Sequence, residues 1–185
     1  MTATAGKFAT YEDLFDLPDN VVGEIIHGQL ITHPRPAPKH AVASSAIGDE
    51  LISPFHKGRG GPGGWWILFE PELHLGPHIL VPELAGWRRE RMPDMPDIAY
   101  FTLPPDWVCE VLSPGTARGD RADKMPIYAA REIPFLWLVD PVLRTLEVFM
   151  LHEGHWLLEC VYKEDEQVSA APFNAISFPL ADLWC

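Results

Sequence analysis

Residues 107–141 read WVCEVLSPGTARGDRADKMPIYAAREIPFLWLVDP and carry the strongest indication of the fold class. The run at 107–112 is apolar apart from Glu110, which is typical of a strand in the middle of a sheet. A loop follows, and residues from about 121 to 131 are predicted to form a helix. The apolar run at 135–141 predicts a second strand. Strand, helix and strand in this order indicate an α/β or α+β domain with a mixed sheet.

The rest of the chain mixes the same two kinds of element. Thr10 is predicted to cap a short helix and Pro38 to open a longer one, whereas Pro54 and Pro126 fall inside predicted helices and would kink or end them. The predicted helices cover residues 10–17, 38–57 and 121–131, with a closing helical turn at 179–184. The predicted strands cover 23–33, 65–69, 71–76, 78–87, 96–101, 107–112, 135–141, 144–151 and 156–163. We therefore expect a mixed β-sheet flanked by helices.

Size and composition limit the classes of protein that fit. The 185 residues suffice for one domain, so we expect a single domain over 1–185 with a flexible tail at 1–9. The sequence has no apolar run of about 20 residues and no signal peptide, which predicts a cytoplasmic protein that makes no membrane contact. The three cysteines are far apart, which predicts free thiols. The net charge of −12 argues against avid, non-specific binding to DNA.

Three acids stand in apolar runs: Glu24 in GEIIHG, Glu83 in LVPELAGW and Glu110 in WVCEVL. A carboxylate on a buried strand is costly unless it is paired or binds a cation. Each acid taken alone is more simply explained as a structural residue with a satisfied side chain. Together with Lys124 the acids form a more specific set, because Mg²⁺ usually takes one or two carboxylates plus phosphate oxygens.

Asp120, Lys124 and Tyr128 follow one another at a spacing of four residues. On a helix they would share one face, where Asp120 and Lys124 could equally form an ordinary surface ion pair.

Several segments of this sequence resemble the signature of the Uma-two family. They are EIIHGQLI at 24–31, PRPAPKH at 34–40, EPELHLG at 70–76, VPELAGWRRERMP at 81–93, EVLSPGT at 110–116, D-x-x-x-K at 120–124 and IPFLWLVDP at 133–141. The resemblance spans roughly residues 10–184. Members of this family are labelled as restriction endonucleases. The resemblance therefore implies a restriction-endonuclease-like core, the PD-(D/E)XK nuclease fold.

The resemblance also implies an active site. Glu83 stands where the family has the Asp of its P-D pair, and Glu110 is the first acid of the (D/E)-x-K element. Leu112 replaces the lysine of that element, so Lys124 would supply the amine from the following helix. Glu24 would be an additional catalytic acid near the N-terminus. The residues implied to lie next to the site are His40, Asp120 and Tyr128.

The main hypothesis is a metal-dependent endonuclease that hydrolyses DNA phosphodiester bonds, with Glu83 and Glu110 binding Mg²⁺ (or Mn²⁺). Lys124 would position the attacking water, and cutting both strands of a duplex would favour a homodimer. The alternative is a catalytically impaired binding or assembly module that keeps the nuclease fold. The net charge of −12 and the glutamate at position 83, one methylene longer than aspartate, favour this alternative.

Other features leave two interpretations open. Arg88, Arg89 and Arg91 could contact phosphates or form a solvated loop of mixed charge. Trp65, Trp66 and Trp87 could stack on bases, although core packing explains them more simply. A zinc site at His74 and His78 has little support, because these residues fall in a predicted strand–turn–strand segment. No P-loop, G-x-S-x-G or G-x-G-x-x-G motif is present.

Overall fold

The computed structural model describes residues 8–33 and 36–185. The helices are α1 Glu12–Phe15, α2 Pro38–Leu51, α3 Ala117–Gly119 and α4 Met125–Ala130. The strands are β1 Val22–Ile26, β2 Gln29–His33, β3 Trp65–Phe69, β4 Leu73–Leu75, β5 His78–Leu80, β6 Leu84–Arg88, β7 Trp107–Val111, β8 Phe135–Asp140, β9 Thr145–His152, β10 His155–Lys163, β11 Gln167–Val168 and β12 Phe178–Pro179. Two π-helical turns, Ile52–His56 and Asp120–Lys124, follow α2 and α3, and a 3₁₀ turn covers Leu180–Leu183.

The strands β7 and β8 form the centre of a six-stranded sheet with the order β10-β9-β8-β7-β6-β3. They pair in parallel, with Glu110 opposite Leu138, and the other neighbouring strands pair antiparallel. All five residues of β7 are buried, as expected for a central strand. A parallel pair needs a crossover, which α3, the second π turn and α4 supply. The predicted mixed sheet flanked by helices is confirmed.

The segment at 23–33 is a hairpin, β1–β2, so the prediction of one continuous strand was wrong. The turn residues His27 and Gly28 both have positive φ, 52° and 74°. A two-residue turn of this kind matches the twist of an antiparallel pair and favours glycine. The hairpin belongs to a second sheet of four strands, in the order β2-β1-β5-β4. This sheet carries Glu24 on β1.

The six-stranded sheet has a hydrophobic core on each face. Along β7, Trp107 and Cys109 point into one core and Val108 points into the other, which follows from the two-residue repeat of a strand. The helix α2 packs into the first core, and Tyr128 on α4 packs into the second. Trp65 and Trp87 are buried, so these two tryptophans serve core packing and present no face on which a base could stack.

Of the two prolines inside predicted helices, Pro54 lies within a π turn and Pro126 lies two residues after one. The α-helical part of the predicted helix at 38–57 ends at Leu51, and the π turn that follows contains Pro54. The predicted helix at 121–131 starts earlier, at Ala117, and a π turn lies directly before the short helix that contains Pro126. Proline has no N–H for the α-helical hydrogen bond, and a wider turn is one way to continue the helix.

Two predicted strands differ from the structure. The run at 78–87 is divided into β5 and β6 around Pro82, which cannot donate to a sheet ladder. The run at 96–101 forms no strand, and only Phe101 makes an isolated bridge, with Leu73. Glu83 therefore lies in a break between strands rather than on a strand.

The N-terminal helix is shorter than predicted and covers Glu12–Phe15. The prediction that Thr10 caps this helix was wrong, because the N-cap is Tyr11 and no side chain makes a capping hydrogen bond. The Thr10 N–H and hydroxyl instead both donate to Asp13 Oδ2. Residues 1–7 of the predicted tail lie outside the described residues, and the Ala9 N–H donates to the Gly28 carbonyl at 2.8 Å. The three cysteines are free thiols, as predicted. Within 8–33 and 36–185 the helices are too short or too polar to cross a bilayer.

Candidate active site

Lys124 lies in a buried cluster of carboxylates. Its Nζ is 3.1 Å from Glu24 Oε1, 3.3 Å from Glu110 Oε1 and 3.3 Å from Asp120 Oδ1. The acids come from β1, β7 and the second π turn, so segments that are distant in the sequence converge on one ammonium group. Burial lowers the pKa of Lys124, but the surrounding carboxylates outweigh it and hold that pKa above its ordinary value. The lysine is therefore a fixed positive charge at neutral pH.

The second π turn places two members of this cluster. Asp120 is its first residue and Lys124 its last. Their side chains share one face, as the four-residue spacing predicts, but their ion pair is buried instead of lying on the surface. π turns inside helices are frequent at functional sites, where they displace side chains from a regular helical register.

Glu110 is the most strongly perturbed acid of the cluster. The Tyr128 hydroxyl donates to Glu110 Oε1 at 2.6 Å, and Lys124 approaches the same oxygen. Burial raises the pKa of Glu110 to about 8 despite the opposing effect of Lys124, and the charges of Asp120 and Glu24 contribute to the rise. The buried carboxyl group of Glu110 therefore holds a proton more readily than an exposed glutamate does.

Glu24 is fully buried and anchored at both carboxylate oxygens. Oε1 accepts a hydrogen bond from the Val81 N–H at 2.7 Å and faces Lys124, while Oε2 lies 2.9 Å from His33 Nε2. Burial raises the pKa of Glu24, but Lys124, His33 and the Val81 N–H outweigh it, and the net pKa is lowered. His33 was not among the predicted site residues. The pairing register of the β1–β2 hairpin could have identified His33, because it places His33 at the end of β2 opposite Val22, close to Glu24.

Glu83 belongs to a separate pair on the same cleft. Its Oε1 lies 3.1 Å from His40 Nε2, and its side chain is 21% exposed, the most of the predicted catalytic acids. Burial lowers the pKa of His40, but contact with Glu83 outweighs it and the net pKa is raised. The backbone carbonyl of Glu83 accepts a hydrogen bond from the Glu70 N–H at 3.0 Å.

A cleft of about 430 Å³ opens onto these groups. Its polar and charged lining side chains are Thr32, His33, His40, Glu70, Glu83, Glu110, Ser113, Thr116, Asp120 and Lys124. Glu24 and Tyr128 contact the cluster from behind this lining. In the described part of the chain, no three His, Cys, Asp or Glu side chains are arranged as a preformed metal site. Glu83 and Glu110 thus share one cleft with Glu70 and Asp120, although no three of the described side chains of these types converge on one metal position.

The arginines at 88–91 lie away from this cleft. Glu83 precedes β6 and Arg88 ends it, which separates them by roughly 15 Å along the strand. Arg89 donates to the backbone carbonyls of Trp65 and His56, and Arg91 pairs with Asp106 at 2.8 Å. Two of the three arginines are therefore engaged within the protein, which weakens the prediction that they contact phosphates next to the cut.

The two histidines considered for zinc are placed as the strand–turn–strand prediction implies. His74 lies on β4 and pairs with Glu72 at 2.7 Å. His78 starts β5, and its Nδ1 accepts a hydrogen bond from the His27 N–H at 3.2 Å. Both contacts lie outside the cleft lining.

Comparison with known proteins supports the architecture. A crystal structure titled "putative nuclease belonging to DUF820 from Anabaena variabilis" matches with a TM-score of 0.73 and 23% sequence identity. The match covers 93% of this chain and 95% of that chain, so the two share a fold over nearly their whole length. A search among curated proteins found no match.

The sequence also matches a family model over nearly its full length. The model is that of Uma2, described as "Putative restriction endonuclease", and the match covers residues 8–181. That span contains the Lys124 cluster, the His40–Glu83 pair and the cleft between them. The chain therefore belongs to the Uma2 family.

Proposed function

We propose that the chain is a metal-dependent endonuclease that hydrolyses DNA phosphodiester bonds in the cytoplasm. In this proposal Glu83 and Glu110 hold one Mg²⁺ (or Mn²⁺) and Lys124 positions the attacking water. The observation that carries it is a single cleft whose lining includes Glu83, Glu110 and the buried ammonium group of Lys124. The family description supports a nucleic acid as the substrate.

The donor set of the cleft suits a hard divalent cation. Mg²⁺ takes oxygen ligands and is usually held by one or two carboxylates, with water and substrate phosphate completing its shell. Glu110 Oε1 is engaged by Tyr128 and Lys124, and Glu83 Oε1 faces His40. Each acid has a second oxygen that can serve a cation. A divalent cation in such a site polarises the phosphate and lowers the pKa of a bound water.

The side chains of the Lys124 cluster have separate roles in the proposed reaction. Lys124, 3.3 Å from Glu110, is positioned to orient a water beside that acid and to stabilise charge that develops on the phosphate. Glu24 fixes Lys124 through its ion pair and is itself held by the Val81 N–H. Tyr128 fixes Glu110. Pre-set positions of this kind lower the reorganisation that the reaction needs.

A duplex has two strands, and one cleft can cut one of them at a time. The proposal therefore includes a symmetric homodimer for cutting both strands. The competing proposal is a binding or assembly module with an impaired site, and the net charge of −12 favours it because phosphates are repelled.

The test is cleavage of supercoiled, linear and single-stranded DNA by the purified chain with Mg²⁺ and with Mn²⁺. We expect cleavage that Glu110→Gln and Lys124→Met each reduce at least about a hundredfold, because both remove groups at the reacting phosphate. Glu72→Gln is the matched control, because it removes a His–Glu pair outside the cleft, and should cleave normally. A linear product from supercoiled DNA would support the dimer.

Cleavage that survives in the Glu110→Gln variant would contradict the assignment of the site. Absence of cleavage in either metal, together with absence of divalent-cation binding that depends on Glu83 and Glu110, would favour the binding or assembly module.

A further inference from the structure

We infer that His40 is a positioning residue for Glu83, and that this site is built for glutamate rather than aspartate at position 83. The inference rests on the proposed function, because it assigns Glu83 a carboxylate that must be held in place for a cation. The inference explains the glutamate at position 83 by its contact with His40.

The backbone at position 83 is held on its C-terminal side by two contacts. The Glu83 carbonyl accepts the hydrogen bond from Glu70, which has a positive φ of 43°. The next residue, Leu84, is fully buried and pairs with Phe69 on β3 and with Cys109 on β7. Because the backbone cannot shift freely, the length of the side chain determines where the carboxylate lies.

Only the longer side chain reaches His40 from this backbone position. Glu83 Oε1 is 3.1 Å from His40 Nε2. Aspartate lacks one methylene group, and one C–C bond is about 1.5 Å long. The carboxylate of an aspartate would therefore retract by about 1 Å or more, beyond the range of a close contact with the imidazole.

His40 is itself held in place. It is the third residue of α2, two residues after Pro38 at the first helical position, and it lies on the buried face with Ala43 and Ser44. The residue is only 7% exposed, and its buried Nδ1 makes no close hydrogen bond, although the imidazole lies near the Val111 backbone. A buried imidazole is costly unless its polar atoms are used. The imidazole of His40 uses its Nε2 for the ion pair with Glu83.

Glu83 needs this partner because Lys124 serves the other acids. The ion pairs of Lys124 run to Glu24, Glu110 and Asp120. Glu83 is also the most exposed of the cleft acids in an ion pair, so without His40 its carboxylate would be free to rotate. A neighbouring donor that orients a ligating carboxylate commonly changes metal affinity by about 10–100-fold.

The experiment measures binding of Mn²⁺ to the metal-free full chain by isothermal titration calorimetry, with thermal unfolding recorded for every variant. We expect His40→Ala and Glu83→Asp each to weaken binding about tenfold or more. His40→Gln should bind nearly as the unsubstituted chain does, because the glutamine amide can reach the position of the imidazole Nε2. In the double variant His40→Ala/Glu83→Asp the losses should not add, because each change breaks the same contact.

His74→Ala is the matched control, because His74 pairs with Glu72 at 2.7 Å outside the cleft. It should leave Mn²⁺ binding unchanged. Binding that is equal in His40→Ala, or tighter in Glu83→Asp, would overturn the inference and leave the proposed function standing. If the unsubstituted chain binds no Mn²⁺, the proposed function itself fails. Should His40→Ala unfold, Glu83→Asp and His40→Gln still decide the question.

Discussion

The ionisation of Glu110 links the stability of the metal-free chain to pH. Its pKa is about 8 in the folded chain, well above the ordinary value of 4.5, so the folded state binds more protons between these values. Stability that depends on this group is present at low pH and is lost as the pH rises through about 8. The pH dependence of unfolding therefore reports the burial of this carboxyl group.

Glu110→Gln should remove that dependence. The amide keeps an acceptor for the Tyr128 hydroxyl and carries no charge at any pH. Relative to the unsubstituted chain, we expect the variant to gain roughly 3–4 kcal/mol in free energy of unfolding between about pH 5 and about pH 8.5. Urea denaturation in EDTA measures this. A constant difference between the two chains across that range would contradict the raised pKa.

The sequence identified the chemical groups of the site better than their partners. Glu110 and Lys124 could be singled out because a charge in an apolar run must be satisfied. Their contact with Glu24 depends on how the second sheet packs, which no local pattern encodes. His33 was missed because its approach to Glu24 follows from the pairing of β1 with β2, and the segment was predicted as one continuous strand.

At the scale of elements, two hairpins use the same turn. His27–Gly28 joins β1 to β2, and Glu153–Gly154 joins β9 to β10, with positive φ at all four residues. Alanine disfavours this region by roughly 1–2 kcal/mol because its Cβ approaches the carbonyl oxygen. The Cβ of an alanine at position 28 would also meet the exposed, movable ring of Phe8, whereas position 154 has open space.

Gly28→Ala and Gly154→Ala should therefore each lower the free energy of unfolding by roughly 1–2 kcal/mol. Gly115→Ala is the control, because its backbone lies outside the positive-φ region and its nearest neighbour is Ser113 Oγ at 3.9 Å. Chemical denaturation of the three variants checks this. A loss in Gly115→Ala as large as in the other two would show that backbone conformation is not the cause.

The elements that the sequence predicted well are those with one clear pattern. The strands at 65–69, 107–112 and 135–141 agree with the structure to within one residue because apolar runs between turn residues define them. The run at 23–33 failed because its turn, His27–Gly28, has only two residues and does not visibly interrupt the strand pattern. The run at 78–87 failed because Pro82 interrupts a pattern that is otherwise continuous.

At the scale of the whole molecule, the net charge of −12 opposes DNA binding, whereas the proposed active site requires it. The chain carries 26 acidic and 14 basic residues, and the cleft is lined by Glu70, Glu83, Glu110 and Asp120. The negative potential of these acids repels DNA phosphates from the cleft unless a bound divalent cation neutralises it. Binding of DNA, and not cleavage alone, should therefore depend on the metal. Composition predicted the sign of the overall field, but the concentration of acids in one cleft required the structure.

The prediction is that the chain binds a short DNA duplex at least about tenfold more weakly in EDTA than in Ca²⁺, which also takes oxygen ligands. Fluorescence anisotropy of the labelled duplex at constant ionic strength measures this. Glu70→Gln/Glu83→Gln removes two cleft charges, so it should bind better than the unsubstituted chain in EDTA and respond less to Ca²⁺. Glu72→Gln/Glu153→Gln changes the net charge equally outside the cleft lining. If both double variants improve binding alike, the total charge governs binding; if only the first does, the repulsion is local and the cation acts within the cleft.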